Sequence, residues 1–294
     1  MRITPNTTLR NSLYNIQINR DRLDSLEEKI SSGNNYNRPS DDPVATRLLV
    51  GLSDRMKAAD QYNSNITKSD TWFQMTNVAL TGITDFISQA TKIVSSISGG
   101  ESDPNVINNA VMQLKSIKQQ IVDMGNTSNN GVYVFGGTNN LVKPFVVNTG
   151  DMTNGSTTIA NMSSVANLTV GMAVTGAGIP DGTTITGIGA NSITISNAAT
   201  ATLTGSGVNS YIGNTGLIKV EVNQDVTQTI NIPGRHVLMP AAGDPYGTTD
   251  VFKTIDQLIA DIESSNKAGI QSGKQALYNA SIQLNASQSD LQSR

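Results

Sequence analysis

The chain has 294 residues, of which 37% are apolar, 4% aromatic and 15% charged, with a net charge of -3. That length suggests about two domains, and the charge content lies below the roughly 25% of an average soluble domain. The absence of cysteine excludes disulfide frameworks and thiol chemistry, the single histidine (His236) excludes a multi-His metal site, and the acidic balance without a basic stripe argues against a nucleic-acid partner.

The start, Met1-Arg-Ile-Thr-Pro-Asn6, lacks the apolar stretch of a cleaved secretory leader. This fits either the cytosol or export by a route that reads no cleaved leader. Leu9, Ile16, Leu23 and Ile30 then recur every seven residues, with Leu13 and Leu26 filling in. They predict a helix over about 7–31, closed at Ser31-Ser-Gly33-Asn-Asn35, where Gly33 suits a left-handed cap. Asp42-Pro43 opens a second helix, with Asp as N-cap and Pro at the first helical position. Along it Leu52, Ala59, Ile66, Phe73, Leu80, Ile87 and Val94 keep the same repeat without a break. A companion row of Leu48, Tyr62, Ile83, Ala90 and Ile97 is interrupted by Arg55, Ser69 and Thr76. A helix over 44–98 would be roughly 80 Å long. Gly99-Gly100 ends it, Asp103-Pro104 repeats the opening, and a third helix carries Ile107, Leu114 and Ile121 beside Ala110, Ile117 and Met124.

The character then changes. Of the 26 glycines, eighteen lie in residues 131–250, and between Lys143 and Lys219 the only charged residues are Asp151 and Asp181. Gly131-Val-Tyr-Val-Phe-Gly-Gly137 reads as a short strand and Phe145–Val147 as a second. Short β-branched runs follow at Thr157–Ile159, Met172–Thr175, Thr183–Ile188 and Ser192–Ser196, and apolar residues alternate at 218–222 and 226–232. Turn residues between period-two runs predict a sandwich or barrel-like module over 131–248, with 151–215 a possible separate insert. Helical spacing returns with Val251, Ile255, Leu258 and Ile262, then Ile270, Leu277, Leu284 and Leu291. The expected fold class is α+β: a long-helix, coiled-coil-like bundle from both ends of the chain around an inserted β-rich domain. The expected domains are 1–43, 44–130 with 249–294, and 131–248. The expected rod core is Leu52, Ile66, Phe73, Leu80, Ile87, Val94, Ile107, Leu114, Ile121, Leu277 and Leu284.

Candidate chemistry is sparse. Gly176-Ala-Gly178-Ile-Pro-Asp-Gly182 has the wrong spacing for a dinucleotide loop, and Gly269-Ile-Gln-Ser-Gly273-Lys274 is one residue short of a phosphate loop, with Gln275 where a hydroxyl should hold magnesium. His236 has no nucleophile near it in sequence. Asp41-Asp42 and Asp244-Pro245 fit caps and turns, and Trp72 reads as a packing residue beside the apolar row. No catalytic residue, cofactor or metal is expected. What needs a partner is the apolar seam of the first helix, since a lone helix of that kind is marginal in water.

Several of these residues resemble a known pattern. Met1-Arg2-Ile3, the helix ending Ile30-Ser-Ser-Gly33, the loop Asn37-Arg-Pro-Ser-Asp-Asp-Pro43-Val-Ala45, Asn126-Thr127 and Asn130-Gly-Val-Tyr-Val-Phe-Gly-Gly137 are similar to the flagellin-like axial proteins of bacteria, most closely the hook–filament junction (hook-associated protein 3) family. The likeness is strong over 1–140 and moderate over 217–294. Flagellin is the near alternative, but its usual loop has Lys-Asp-Asp-Ala, and its hairpin lacks the Tyr-x-Phe-Gly pattern. The resemblance implies a structural subunit, exported unfolded through the flagellar type III channel and placed outside the cell. Its implied partners are copies of itself, a neighbouring hook-associated protein, flagellin and an export chaperone. It implies an assembly seam of Leu9, Ile16, Leu23 and Ile30 and a corner loop of Pro39, Ser40, Asp41, Asp42 and Pro43. Family members normally continue beyond the position of Arg294 into a further helix that pairs with the first. Two other classes stay open: an adhesive outer module using Tyr211 and Tyr246, and a hydrolase grafted into the middle.

Overall fold

Pro43 and Pro104 each begin a helix directly after an aspartate. In the structure, a computed structural model, the carboxylates of Asp42 and Asp103 cap the free backbone amides of the first turns. Asp42 Oδ1 accepts from the amides of Val44 (3.0 Å) and Ala45 (2.9 Å), and Asp103 accepts from Asn105 (2.8 Å). The structure describes residues 5–33, 40, 42–97 and 103–294. Two compact units, Met1–Asn63 and Ser64–Arg294, divide the chain.

The first unit holds α1 (Pro5–Ser32), closed by Gly33 at φ +65°, and the beginning of α2 (Pro43–Ile97). The remainder of α2 belongs to the second unit with α3 (Pro104–Gly125), α4 (Gly234–Leu238), α5 (Val251–Glu263) and α6 (Lys267–Ser293). Here the seven-residue repeat becomes packing. On α2 the rows Ser69, Thr76, Ile83, Ala90, Ile97 and Leu80, Ile87, Val94 are all buried. On α6 the rows Ile270, Leu277, Leu284, Leu291 and Gly273, Ala280, Ser287 are buried likewise. Leu114 and Ile121 of α3 join the same core with Ile255 and Leu258 of α5. Ser69 and Thr76, the apparent interruptions, cost little. Their hydroxyls donate to the carbonyls of Asn65 and Trp72 one turn back (both 2.8 Å), so each buries a satisfied polar group. Gly273 lets α5 and α6 meet closely, because a Cβ there would lie 2.3 Å from Leu258.

The expected rod core needs correction at one end. Leu52 and Ile66 are 54% and 47% exposed, because burial on α2 begins only at Ser69. Phe73 and Ile107 are half-buried at the margin of the core. Trp72 packs against that core as well.

The β region starts with a tight hairpin, β1 (Ser128–Asn129) and β2 (Val132–Tyr133). Its turn is Asn130-Gly131 with φ of 50° and 81°, the left-handed pair such a two-residue loop requires. Phe135 is buried, and Gly137 passes so close to the backbone of Asn214 that a Cβ would overlap it. Next come β3 (Phe145–Met152), β4 (Thr158–Ala160), β5 (Val174–Thr175), β6 (Ile185–Ile188), β7 (Ile193–Ile195) and β8 (Leu203–Tyr211). They form one antiparallel sheet in the order β5-β8-β3-β4-β7-β6. Its outer strands meet through an Ala173–Thr184 bridge, with Val174 N donating to Thr183 O (3.0 Å) and Ile185 N to Met172 O (2.8 Å). The sheet therefore closes on itself, which removes its open edges. Its interior holds a second core that includes Met152, Ile159, Ile185, Ile193 and Val208. A second hairpin, β9 (Lys219–Asn223) with β10 (Val226–Thr229), follows. Strand β8, the partner of β3 along most of its length, lies in a Gly- and Ser-rich stretch where no β-branched run announces it.

Candidate assembly surface

Amphipathic helices fold by covering their apolar side. Within the first unit that side of α1 is uncovered: Leu9, Ile16, Leu23 and Ile30 are 60%, 56%, 59% and 80% exposed, and Leu13, Tyr14 and Leu26 are exposed as well. The beginning of α2 repeats the feature with Val44, Leu48, Leu49, Leu52 and Met56. Exposed apolar rows of this length mark surfaces built to be covered. Charges of both signs flank them on α1, among them Arg20, Asp21, Arg22, Asp24, Glu27 and Lys29.

Of the expected corner residues, Asp42 and Pro43 form the capped start of α2, and Ser40 is an exposed turn residue. Pro39 and Asp41 lie outside the described residues. The expected seam residues share α1, and Leu80, Ile87, Val94, Leu114, Ile121, Leu277 and Leu284 share one core in the second unit.

The residues screened for chemistry have local jobs. His236 Nε2 lies 3.5 Å from Asp244, whose carboxylate also accepts from the amide of Ala241 (2.7 Å) to make a turn. Gly269 and Gly273 sit in α6 against Asp261 and Leu258, so their spacing serves helix contact. The Tyr211 hydroxyl donates to the Phe135 carbonyl (2.7 Å), and the Tyr246 hydroxyl is held by the Asp290 carboxylate. Burial raises the pKa of both phenols, and in Tyr246 the carboxylate adds to the rise. Both candidate adhesive tyrosines are thus engaged internally. Among the described residues, no group of three or more His, Asp or Glu side chains could hold a metal, and no helix is long and apolar enough to cross a membrane.

Some polar groups escaped the sequence reading. Gln283 of α6 donates to the carbonyls of Val237 (2.6 Å) and Thr249 (3.1 Å) and accepts from the Thr249 amide (3.1 Å), which ties α4 and the start of α5 to α6. Asp250 caps α5 through the amide of Lys253 (2.8 Å), while its other oxygen is buried without a partner. Burial lifts the Asp250 carboxyl to about 6, and the charge of Asp256 adds to the rise. Lys118 of α3 and Asp256 of α5 form a buried pair. A lysine and an aspartate inside apolar heptad rows were the available signals.

The comparisons agree with this architecture. Residues 3–140 match the family of the bacterial flagellin N-terminal helical region. The flagellar hook-associated protein 3 of Salmonella typhimurium is 30% identical over 147 residues, covering 49% of this chain and 46% of that protein. Its Escherichia coli counterpart is 29% identical over 134 residues, 45% of this chain and 42% of that protein. The chain thus aligns with about half the length of the curated relatives it matches. A Vibrio parahaemolyticus structure described as a flagellar hook-associated protein superposes with a TM-score of 0.60 at 18% identity, covering 87% of this chain and 89% of that one. Bacillus cereus FlgL gives 0.52 at 12% identity, with 84% and 89% covered. At these identities the likeness establishes the fold.

Proposed function

We propose, from a chain whose residues 3–140 match the flagellin N-terminal helical region and whose curated relatives are flagellar hook-associated proteins 3, that this protein is a structural subunit of the bacterial flagellum joining the hook to the flagellin filament. The observation that carries the reading is the uncovered apolar face of α1 and of the start of α2. Burying such rows against neighbours releases roughly 25 cal/mol per Å² of apolar surface, enough over several turns to drive association. Contacts between unlike surfaces of identical subunits generate rings or helical assemblies, the geometry a tubular junction needs.

In this reading Leu9, Ile16, Leu23 and Ile30 are the assembly seam. Asp42 and Pro43 set the corner where α2 starts, and the core residues from Phe73 to Leu284 keep the second unit rigid. The β-rich region over 131–248 forms an outward module. The partners are copies of the chain, an adjoining hook-associated protein, flagellin and an export chaperone that shields the seam. The role is mechanical.

Deleting the gene tests it. A junction subunit leaves hooks without filaments and sheds flagellin into the medium. A filament subunit leaves a complete junction without a filament, and an outer adhesin leaves motility intact; either result refutes the proposal.

A further inference from the structure

The closed sheet and the helices have separate apolar cores, and no buried residue belongs to both. Of the strands in the sheet, β3 and β8 reach each core: Phe145, Val147 and Tyr211 on the helical side, Met152, Leu203 and Val208 inside the sheet. Between the cores the contact is polar. The Lys118 ammonium of α3 donates to both oxygens of Asp256 of α5 (2.6 and 2.8 Å), and the Asn209 amide nitrogen of β8 donates to Oδ2 of the same carboxylate (2.7 Å). All three side chains are at most 7% exposed. Gly207 of β8 makes the approach possible, since a Cβ there would lie 2.3 Å from the carboxylate. Two clefts lie between helices and sheet around this contact. One, of about 500 Å³, has Lys115, Gln119 and Glu263 on its helical wall and Thr149, Thr204 and Ser206 on its sheet wall. The other, of about 470 Å³, lies where Asp181 of the β5–β6 loop faces α5 and α6, and the Lys253–Asp181 pair (2.6 Å) crosses it. Thr175 of β5, Asn209, and Asp250 at the start of α5 each keep a buried oxygen without a hydrogen-bond partner.

We propose that β3 and β8 form a hinge and that Asp256 is the latch that holds the closed sheet against α3 and α5. Two bodies that share an apolar core cannot part without exposing it to water, whereas bodies that meet through polar groups move more readily. Here each core stays closed when the sheet turns away, and water satisfies the oxygens that the contact leaves unpartnered. What holds the sheet in place is therefore concentrated on one carboxylate. The bonds to that carboxylate are directional. Lys118, Asn209 and Asp256 come from three elements and meet only in one placement of the sheet on the helices, so together they fix that placement. Without the carboxylate, Lys118 is a buried charge with no partner, a costly state. Rotation about the two strands relieves it by admitting water, and the cleft beside Thr204 widens.

Spin labels on introduced cysteines measure the motion in the full chain, which has no cysteine of its own. Gln119→Cys with Thr204→Cys spans the cleft, Gln119→Cys with Glu263→Cys reports on the helices alone, and Thr158→Cys with Thr204→Cys on the sheet alone; all these positions are exposed. With the latch intact, pulsed dipolar spectroscopy is expected to give one narrow distance for each pair. In Asp256→Ala the cleft pair gains a second, longer population while the other two pairs keep theirs. Asn209→Ala, which leaves the ion pair in place, gives the same change to a smaller extent. Asp181→Ala, which cuts only the exposed pair, leaves every distance as it was. A broad cleft distance with the latch intact overturns the proposal, as does a cleft distance that stays single in Asp256→Ala. An opening in Asp181→Ala as large as that in Asp256→Ala removes Asp256 from its assigned role. Where Asp256→Ala broadens all three pairs because it unfolds, Asn209→Ala decides by the same criterion, and broadening of all three there too makes the cluster a support of the fold and overturns the latch.

Discussion

The rows of α1 and those of α6 are written in the same alphabet, yet they have opposite fates. Leu23 on α1 is 59% exposed, whereas Leu284 on α6 is completely buried. Both stand in a seven-residue apolar repeat. The difference lies in what their own unit supplies. In the second unit α2, α3, α5 and α6 contribute side chains to one core, and the repeat is spent on intramolecular packing. In the first unit it stays exposed. A heptad repeat thus states that a surface wants covering and leaves open what covers it.

The contrast can be broken most forcefully from the core side. Leu80→Ala or Leu284→Ala should destabilise the folded chain by about 2–5 kcal/mol, read as a lower midpoint in denaturant unfolding. Leu23→Ala should leave that midpoint within about 0.5 kcal/mol. The same Leu23 substitution should instead reduce filament growth when it replaces the native gene. Equal effects of the core and seam substitutions on stability would erase the distinction between the units.

A second test concerns the junction of sheet and helices. The Asp250 carboxyl, at about 6 in the folded protein against 3.8 ordinarily, binds its proton more tightly folded than unfolded. Its contribution to stability therefore falls as pH rises from about 4 to about 6 and is level above that, by up to about 3 kcal/mol. Asp250→Asn preserves an oxygen for the Lys253 amide, so the variant should gain on the wild type across that interval. Unfolding midpoints at matched pH would show a constant difference if Asp250 were not the source. Burial works against ionisation of Asp290 too, but its bonds from Tyr246 and Arg294 hold it below the ordinary range, which gives the opposite slope in more acidic solution.

Three smaller effects sharpen the comparison within the helices. Gly273→Ala places a Cβ against Leu258 and should cost about 1–3 kcal/mol. Gly51→Ala, on the α2 stretch in the first unit, meets nothing within 4 Å and should be neutral or slightly stabilising in thermal unfolding. Asp103→Ala removes an N-cap and should cost about 1 kcal/mol in the same measurement.

The sequence by itself determined the helices, because apolar periodicity and Asp-Pro openings are local signals read within a few turns. The turn at Asn130-Gly131 rests on a local signal too, positive φ angles that few other residue pairs accept, but the reading of residues 131–137 as one short strand missed it, since the strand is only Val132–Tyr133. Only the tertiary structure decided where the buried repeat begins, since Ile66 and Phe73 occupy the same row and differ in what lies over them. It alone revealed β8, which is held by pairing with β3 rather than by strong strand formers of its own. It also brought Lys118, Asn209 and Asp256 together from distant parts of the chain, with Gly207 leaving the space for a carboxylate. Backbone geometry repeats along a chain and can be counted there; contact between remote side chains depends on how whole elements pack.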